Sequence, residues 1–99
     1  MSEAVPQSCW QPTAALTFDT AAAMREEARR VLTDGALRID LGSVPEADST
    51  ALALLLDVCR EAAVRRQTID IVGMPAGLRS LADLYGVTEL LPTRESNDA

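Results

Sequence analysis

Apolar and polar positions along this chain change their period several times, and each change marks an element. Residues 14–18 (AALTF) form a short apolar run that predicts a strand. Beyond it, Met24, Ala28, Val31 and Leu32 recur at i, i+4, i+7 and i+8, one stripe of a helix. Asp19 or Thr20 stands where that helix needs a cap, and Gly35 offers its stop after about Leu32. Arg25, Glu26, Arg29 and Arg30 face away from the stripe, with Glu26 and Arg30 at the supportive i, i+4 spacing. A solvated charged face explains them better than an arginine site for phosphate. Residues 36–41 (ALRIDL) read as a strand and 42–46 (GSVPE) as a turn. A strongly apolar helix follows over 49–66, then a strand at 68–72 (TIDIV) closed by Gly73 and Pro75. A third helix covers 76–85, with Leu78, Leu81, Ala82 and Tyr85 on one face and Gly86 in the position of a C′ glycine. Residues 87–91 make a last strand or turn.

Strands that alternate with helices predict an α/β fold, a single domain of about four strands in which βαβ crossovers favour parallel neighbours. The expected ordered core runs from 14 to 92. Residues 1–13 hold two prolines and no periodicity, so they read as an arm or a short edge strand around Cys9 and Trp10. Residues 93–99 read as a polar tail.

Composition narrows the chemistry. The chain has 99 residues, with 15 Asp plus Glu against 9 Lys plus Arg, a net charge of 9 − 15 = −6. All nine basic residues are arginine, and histidine is absent. Without histidine there is no Ser-His-Asp or Cys-His nucleophile system and no imidazole metal site. Without lysine there is no Walker-type phosphate loop and no Schiff base. The acidic balance disfavours non-specific binding to nucleic acid or anionic lipid. Two cysteines are too few for a disulfide framework, and Cys59 sits in an apolar helical pattern where a thiol acts as a small hydrophobe. The first residues lack the pattern of a signal peptide, and the longest apolar run, 51–56, is far short of a membrane span. A cytoplasmic protein without a catalytic centre or an imidazole metal site is the expectation.

One segment departs from scaffold. Asp48-Ser49-Thr50 follows the strand RIDL through a proline-containing loop and opens the most apolar helix. A rival start exists, because Ser43 to Glu46 spells a capping box, S-x-x-E. Pro45 decides against it by pushing Val44 out of the helical region. The N-cap therefore falls at Asp48 or Ser49. A hydroxyl there has a structural use, accepting a hydrogen bond from a first-turn N–H for about 1 kcal/mol. It also has a functional one. Phosphate on Ser49 or Thr50 is tolerated by the positive helix end, yet adds about two negative charges that repel a partner. Within the helix, Ala51, Leu52, Leu54, Leu55, Leu56, Val58, Cys59, Ala62 and Ala63 cover more than one face. Either the helix is buried on two sides, or its first two turns offer apolar surface, with Ala51 and Leu54 as candidates. Asp40 and Asp48 could alternatively hold Mg²⁺ near a strand end, or act with Asp57 in a small enzyme.

The string RIDLGSVPEADSTALALLL resembles the core of STAS domains, the fold of anti-sigma-factor antagonists. Their pattern is a strand ending in Asp-Leu, a Ser-x-Val turn, then Asp-Ser-Ser-Gly-Leu opening a helix. Here Val44 directly follows Ser43, while Asp48, Ser49, Thr50 and Leu52 fall in register and Ala51 stands where glycine is usual. MREEA (24–28), LALLL (52–56) and SLADLYGVTELLP (80–92) are similar to the MlaB-type branch of the family, and the likeness spans about residues 14–92. That resemblance implies a single STAS-like domain with a mixed sheet of about four strands flanked by helices and no bound cofactor, and a subunit that docks on the ATPase (MlaF-like) of a phospholipid-transporting ABC complex with permease and lipid-binding subunits. Such a subunit supports outer-membrane lipid asymmetry, meets the inner membrane only through the complex, and binds no nucleic acid. Asp48, Ser49 and Thr50 would be its partner-binding or switch residues. The sigma-regulating branch implies the alternative: an anti-sigma-factor antagonist controlled by phosphorylation of Ser49.

Overall fold

The computed structural model describes residues 8–32 and 35–93. Its strands are β1 (Ser8–Trp10), β2 (Ala36–Asp40) and β3 (Thr68–Val72), joined in the order β1-β2-β3 with every pairing parallel. The helices are α1 (Ala21–Val31), α2 (Ser49–Val64) and α3 (Ala76–Leu84). Short 3-10 turns at Phe18–Thr20 and Thr88–Leu90 precede α1 and follow α3. The polar tail falls outside the described residues, apart from Thr93, and so do residues 1–7 of the arm.

Alternation along the strands builds the core. Leu37 and Ile39 of β2 and Ile71 of β3 are fully buried, while Cys9, Arg38 and Asp70 form a cross-strand row on the opposite sheet face. On that row Arg38 Nε lies 3.5 Å from Asp70 Oδ2. Above the apolar face, α1 contributes Met24 and Ala28, α2 contributes Leu52, Leu55, Val58 and Ala62, and α3 contributes Leu78 and Ala82. The stripe expected of α1 is thus the one it buries, with Leu32 at its end and Val31 half-buried. Its charged face pairs differently from the expected Glu26–Arg30 contact. Arg29 approaches Glu26, and Arg25 reaches across to Asp57 of α2 at 3.3 Å.

The sheet has three parallel strands rather than a mixed set of about four. Residues 14–18 are not a strand; only Leu16 makes an isolated parallel bridge, to Ala47, before the chain turns into the 3-10 helix. The Thr20 hydroxyl draws that turn tight, donating to Ala15 O at 2.6 Å and accepting from Thr17 N–H at 3.0 Å. The N-terminal strand lies instead at Cys9 and Trp10, so the packed core starts before residue 14. Trp10 is 4% exposed, and its indole N–H donates to Glu27 Oε1 at 2.8 Å, which ties β1 to α1. Residues 87–91 take the turn alternative, as a 3-10 helix.

Candidate functional site

The C-terminal ends of β2 and β3 carry the loops that set the site. After β2 the chain turns at Gly42, whose N–H donates to Asp40 Oδ1 at 2.9 Å. Beneath that turn lies Gly73, just after β3, with φ +70°. A methyl group on Gly73 would stand 2.8 Å from Gly42 N and 2.9 Å from Asp40 Oδ1, so only glycine lets the two loops meet. The β2–α2 loop is then pinned to the segment before α1: Leu16 N–H donates to Glu46 O, and Asp48 N–H donates to Leu16 O. These bonds deliver Asp48 to the N-cap of α2.

Asp48 is extended, with φ −124°, and its Oδ1 accepts from Thr50 N–H at 2.8 Å. Its Oδ2 accepts from Phe18 N–H at 3.4 Å, linking the first turn of α2 to the turn that opens α1. The hydrogen bond from the Thr50 N–H, above all, holds the Asp48 carboxyl below the usual carboxylate range, because it stabilises the charged form. Of the two candidate caps, the carboxylate therefore does the work. The Ser49 hydroxyl makes no hydrogen bond to the described residues and is exposed, at the first helical position beside Asp48.

Ala51 and Leu54 do not form surface. They are 1% and 5% exposed and belong to the core, since they share the inward stripe with Leu55, Val58 and Ala62. The α2 helix is buried over a wide arc, as the first of the two readings had it, and its outward strip is narrow. That strip runs Ser49, Ala53, Leu56, Arg60, spaced i, i+4, i+7, i+11, with Ser49, Ala53 and Arg60 exposed and Leu56 half-buried. A shallow groove follows it, lined by Ala53, Leu56, Asp57, Arg60, Arg25 of α1 and Leu90. Because the Ala51 methyl points inward, it leaves Ser49 open to solvent.

Phe18 is the exposed residue that the pattern of the chain concealed. Placed at the end of an apolar run, it reads as strand core, yet it is 80% exposed. The signal was the polar triplet around it, Thr17 and Asp19-Thr20, which suits a turn better than a strand. The aspartates considered for a metal or an enzyme are each tied into local structure: Asp40 to the Gly42 turn, Asp48 to the helix cap, and Asp57 to Arg25 and Arg60. Among the described residues, no three His, Cys, Asp or Glu side chains come together as a metal site. Nor is any described helix long and apolar enough to cross a membrane.

A three-stranded parallel sheet under helices, with a capped helix end that leaves Ser49 exposed, defines a single α/β domain, and its family is shown by the comparison of its sequence. The family model described as "Mlab, STAS domain" matches residues 13–92, and the chain belongs to that family. Two solved structures share the fold. One is a Thermotoga maritima protein described as an anti-sigma factor antagonist, with TM-score 0.74 and 11% identity over 96% of this chain and 84% of that one. The other is a sulfate transporter family protein from Wolinella succinogenes, with TM-score 0.70 and 17% identity over 92% of this chain and 80% of that one. No curated protein sequence gives a significant match.

Proposed function

We propose that this STAS domain is a non-catalytic docking subunit for the ATPase of a phospholipid-transporting ABC complex, and that it binds through the N-terminal end of α2. The observation that carries this reading is the joint presentation of Phe18 and Ser49 by one carboxylate, Asp48, which accepts from both segments. Phe18 exposes its ring, Ser49 exposes its hydroxyl, and a shallow groove runs over Ala53 and Leu56; together these supply an aromatic anchor and a polar rim for a partner. The family match favours an MlaB-type role for it. ATP chemistry belongs to the partner, which suits a chain that holds neither lysine nor histidine. The subunit works in the cytoplasm, against the inner membrane, through that ATPase.

Co-purification from the native host tests the reading. An ABC ATPase, with its permease and lipid-binding subunits, is expected to accompany the wild-type chain. Phe18→Ala is expected to weaken that association about tenfold or more. The Ser49→Glu, Thr50→Glu double variant is expected to abolish it by placing charge on the contact. Full ATPase binding and activity in the double variant would sink the site assignment. The exposed, unbonded Ser49 hydroxyl also supports a second reading, an anti-sigma-factor antagonist switched by a serine kinase. Phosphate on Ser49 in vivo and capture of a kinase-like anti-sigma factor in place of the ATPase would decide for it.

A further inference from the structure

The outward strip of α2 carries a charge arrangement that its cap does not explain. Asp57 receives two arginines at once: Arg60 Nη2 donates to its Oδ1 at 2.5 Å, and Arg25 Nη2, reaching over from α1, lies 3.3 Å from its Oδ2. Both carboxylate oxygens are taken, while each guanidinium spends few of its five N–H donors on them. Two cations against one anion leave a positive charge on the groove, in a chain whose net charge is −6. The shared carboxylate also steadies the two guanidinium forks, so a second carboxylate would meet donors already ordered.

The same groove is apolar beside this triad. It has a volume of about 450 Å³, and Ala53, Leu56 and Leu90 complete its lining. Leu90 is 63% exposed, a large aliphatic side chain left in water. Ser49 and Ala53, one turn apart on the strip, are small and exposed, so the ridge is low there and another helix can approach closely. Walls come from α1, α2 and the Thr88–Leu90 turn, with no strand among them. The main-chain groups within α2 are spent on their own helix, so an extended segment finds no ladder to join. A helix arrives with its backbone already satisfied.

We infer that this groove receives an amphipathic helix of the partner ATPase, which lays aliphatic side chains on Ala53, Leu56 and Leu90 and sets an Asp or Glu between Arg25 and Arg60. The unbalanced cation selects the acidic residue. A basic helix would face both arginines, and a wholly apolar one would strip water from them without replacing it. This inference rests on the docking reading above and deepens it, since the strip starts at Ser49 and reaches Arg60 roughly 16 Å further along α2.

The test uses the full chain and the ABC ATPase captured with it from the native host. Neutralising both cations, Arg25→Gln with Arg60→Gln, is expected to weaken ATPase capture at least tenfold at low salt and to flatten its salt dependence. Arg30→Gln with Arg66→Gln removes the same charge away from the groove and is expected to capture the ATPase as wild type does. Because the chain has no lysine, Arg60→Lys supplies its single side-chain amine. A carbodiimide is then expected to join that amine to one Asp or Glu of the ATPase, in a helix with aliphatic residues three or four positions away, as located by mass spectrometry. That cross-link decides the matter even if the Arg25, Arg60 pair fails to fold. Unchanged capture by a folded Arg25, Arg60 pair would overturn the inference and leave the docking reading standing, whereas no ATPase with the wild type would overturn both. An equal loss in the Arg30, Arg66 pair, a cross-link confined to Asp57, or one to a second copy of this chain would also overturn it.

Discussion

At its first turn α2 gives a free N–H to the carboxylate of Asp48; at its last turn it closes its carbonyls with backbone N–H groups from Arg66 and Gln67. The second end is a Schellman motif, with Gln67 N–H bonded to Ala62 O at 2.8 Å and Arg66 N–H to Ala63 O at 3.1 Å. Its C′ position is left-handed, and Arg66 occupies it at φ +60°. The α3 helix ends in the same motif with Gly86 at φ +71°, which accepts that geometry without a Cβ penalty. One end of α2 is therefore relaxed and leaves a spare hydroxyl on the surface. The other is strained at Arg66 and one residue later buries the Gln67 carboxamide, which has no hydrogen-bond partner among the described residues. Only the second end is held at such a local cost; the first is an ordinary capped start.

Substitutions that separate the two ends differ in size. The largest effect is expected from Gly73→Ala, which forces a Cβ into a left-handed residue and against Gly42 N at 2.8 Å. A loss of about 3 kcal/mol follows, read as a lower urea midpoint with an unchanged slope. Because Gly42 leads into the α2 cap, chemical shifts should move over residues 42–50 more than over 59–67. Equal perturbation of both ends would break the contrast.

Asp48→Ala comes next, with a urea midpoint expected below wild type, from the lost cap, but above that of Gly73→Ala. Asp48→Asn keeps the capping oxygen, so its cost near neutrality should be smaller. The difference appears in acid. The folded-state carboxyl of Asp48 is lowered, so its contribution to stability is complete above the unfolded value of about 3.9 and is lost as pH falls through the folded value. Asp48→Asn should therefore flatten that part of the acid limb in a series of denaturation curves. An unaltered acid limb would show that the cap carries no net charge effect. At the opposite end, Arg66→Gly should stabilise the protein by about 0.5–1 kcal/mol, by relieving the left-handed residue, and leave the acid limb unchanged.

The parts of this picture that the sequence revealed were those governed by local chemistry. TIDIV is a strand at the residues where its composition put it, and Pro45 placed the start of α2 beyond the rival capping box at Ser43. Gly86 marked the end of α3 for the reason just given. The strand at Cys9 and Trp10 was legible only as one of two options, because three residues carry no period. What selects them is the pairing of Trp10 with Ile39 and the indole bond to Glu27, both distant in sequence. Phe18 was misplaced for the same reason: its turn is held by Thr20, Ala15 and Asp48 rather than by its own apolar neighbours. Ala51 and Leu54 show a limit of counting faces. A helix packed against both a sheet and two other helices buries so wide an arc that a rich apolar pattern says nothing about which residues remain outside.

The smallest effect is the most discriminating. A serine at the start of a helix ordinarily earns its place as a cap, and on that reading Ser49→Ala would cost about 1 kcal/mol. Here Asp48 Oδ1 already receives the Thr50 N–H, and the Ser49 side chain is exposed and unbonded to the described residues. Ser49→Ala should therefore change stability by less than about 0.5 kcal/mol, the range of ordinary surface substitutions. Asp48→Ala and the Ser49→Ala, Asp48→Ala double variant should unfold at the same urea concentration, with no coupling between the sites. A loss of about 1 kcal/mol in Ser49→Ala would return the hydroxyl to a structural role. A silent Ser49→Ala combined with failed partner binding in Ser49→Glu would mean that the fold does not need this hydroxyl and that its surroundings matter to the partner.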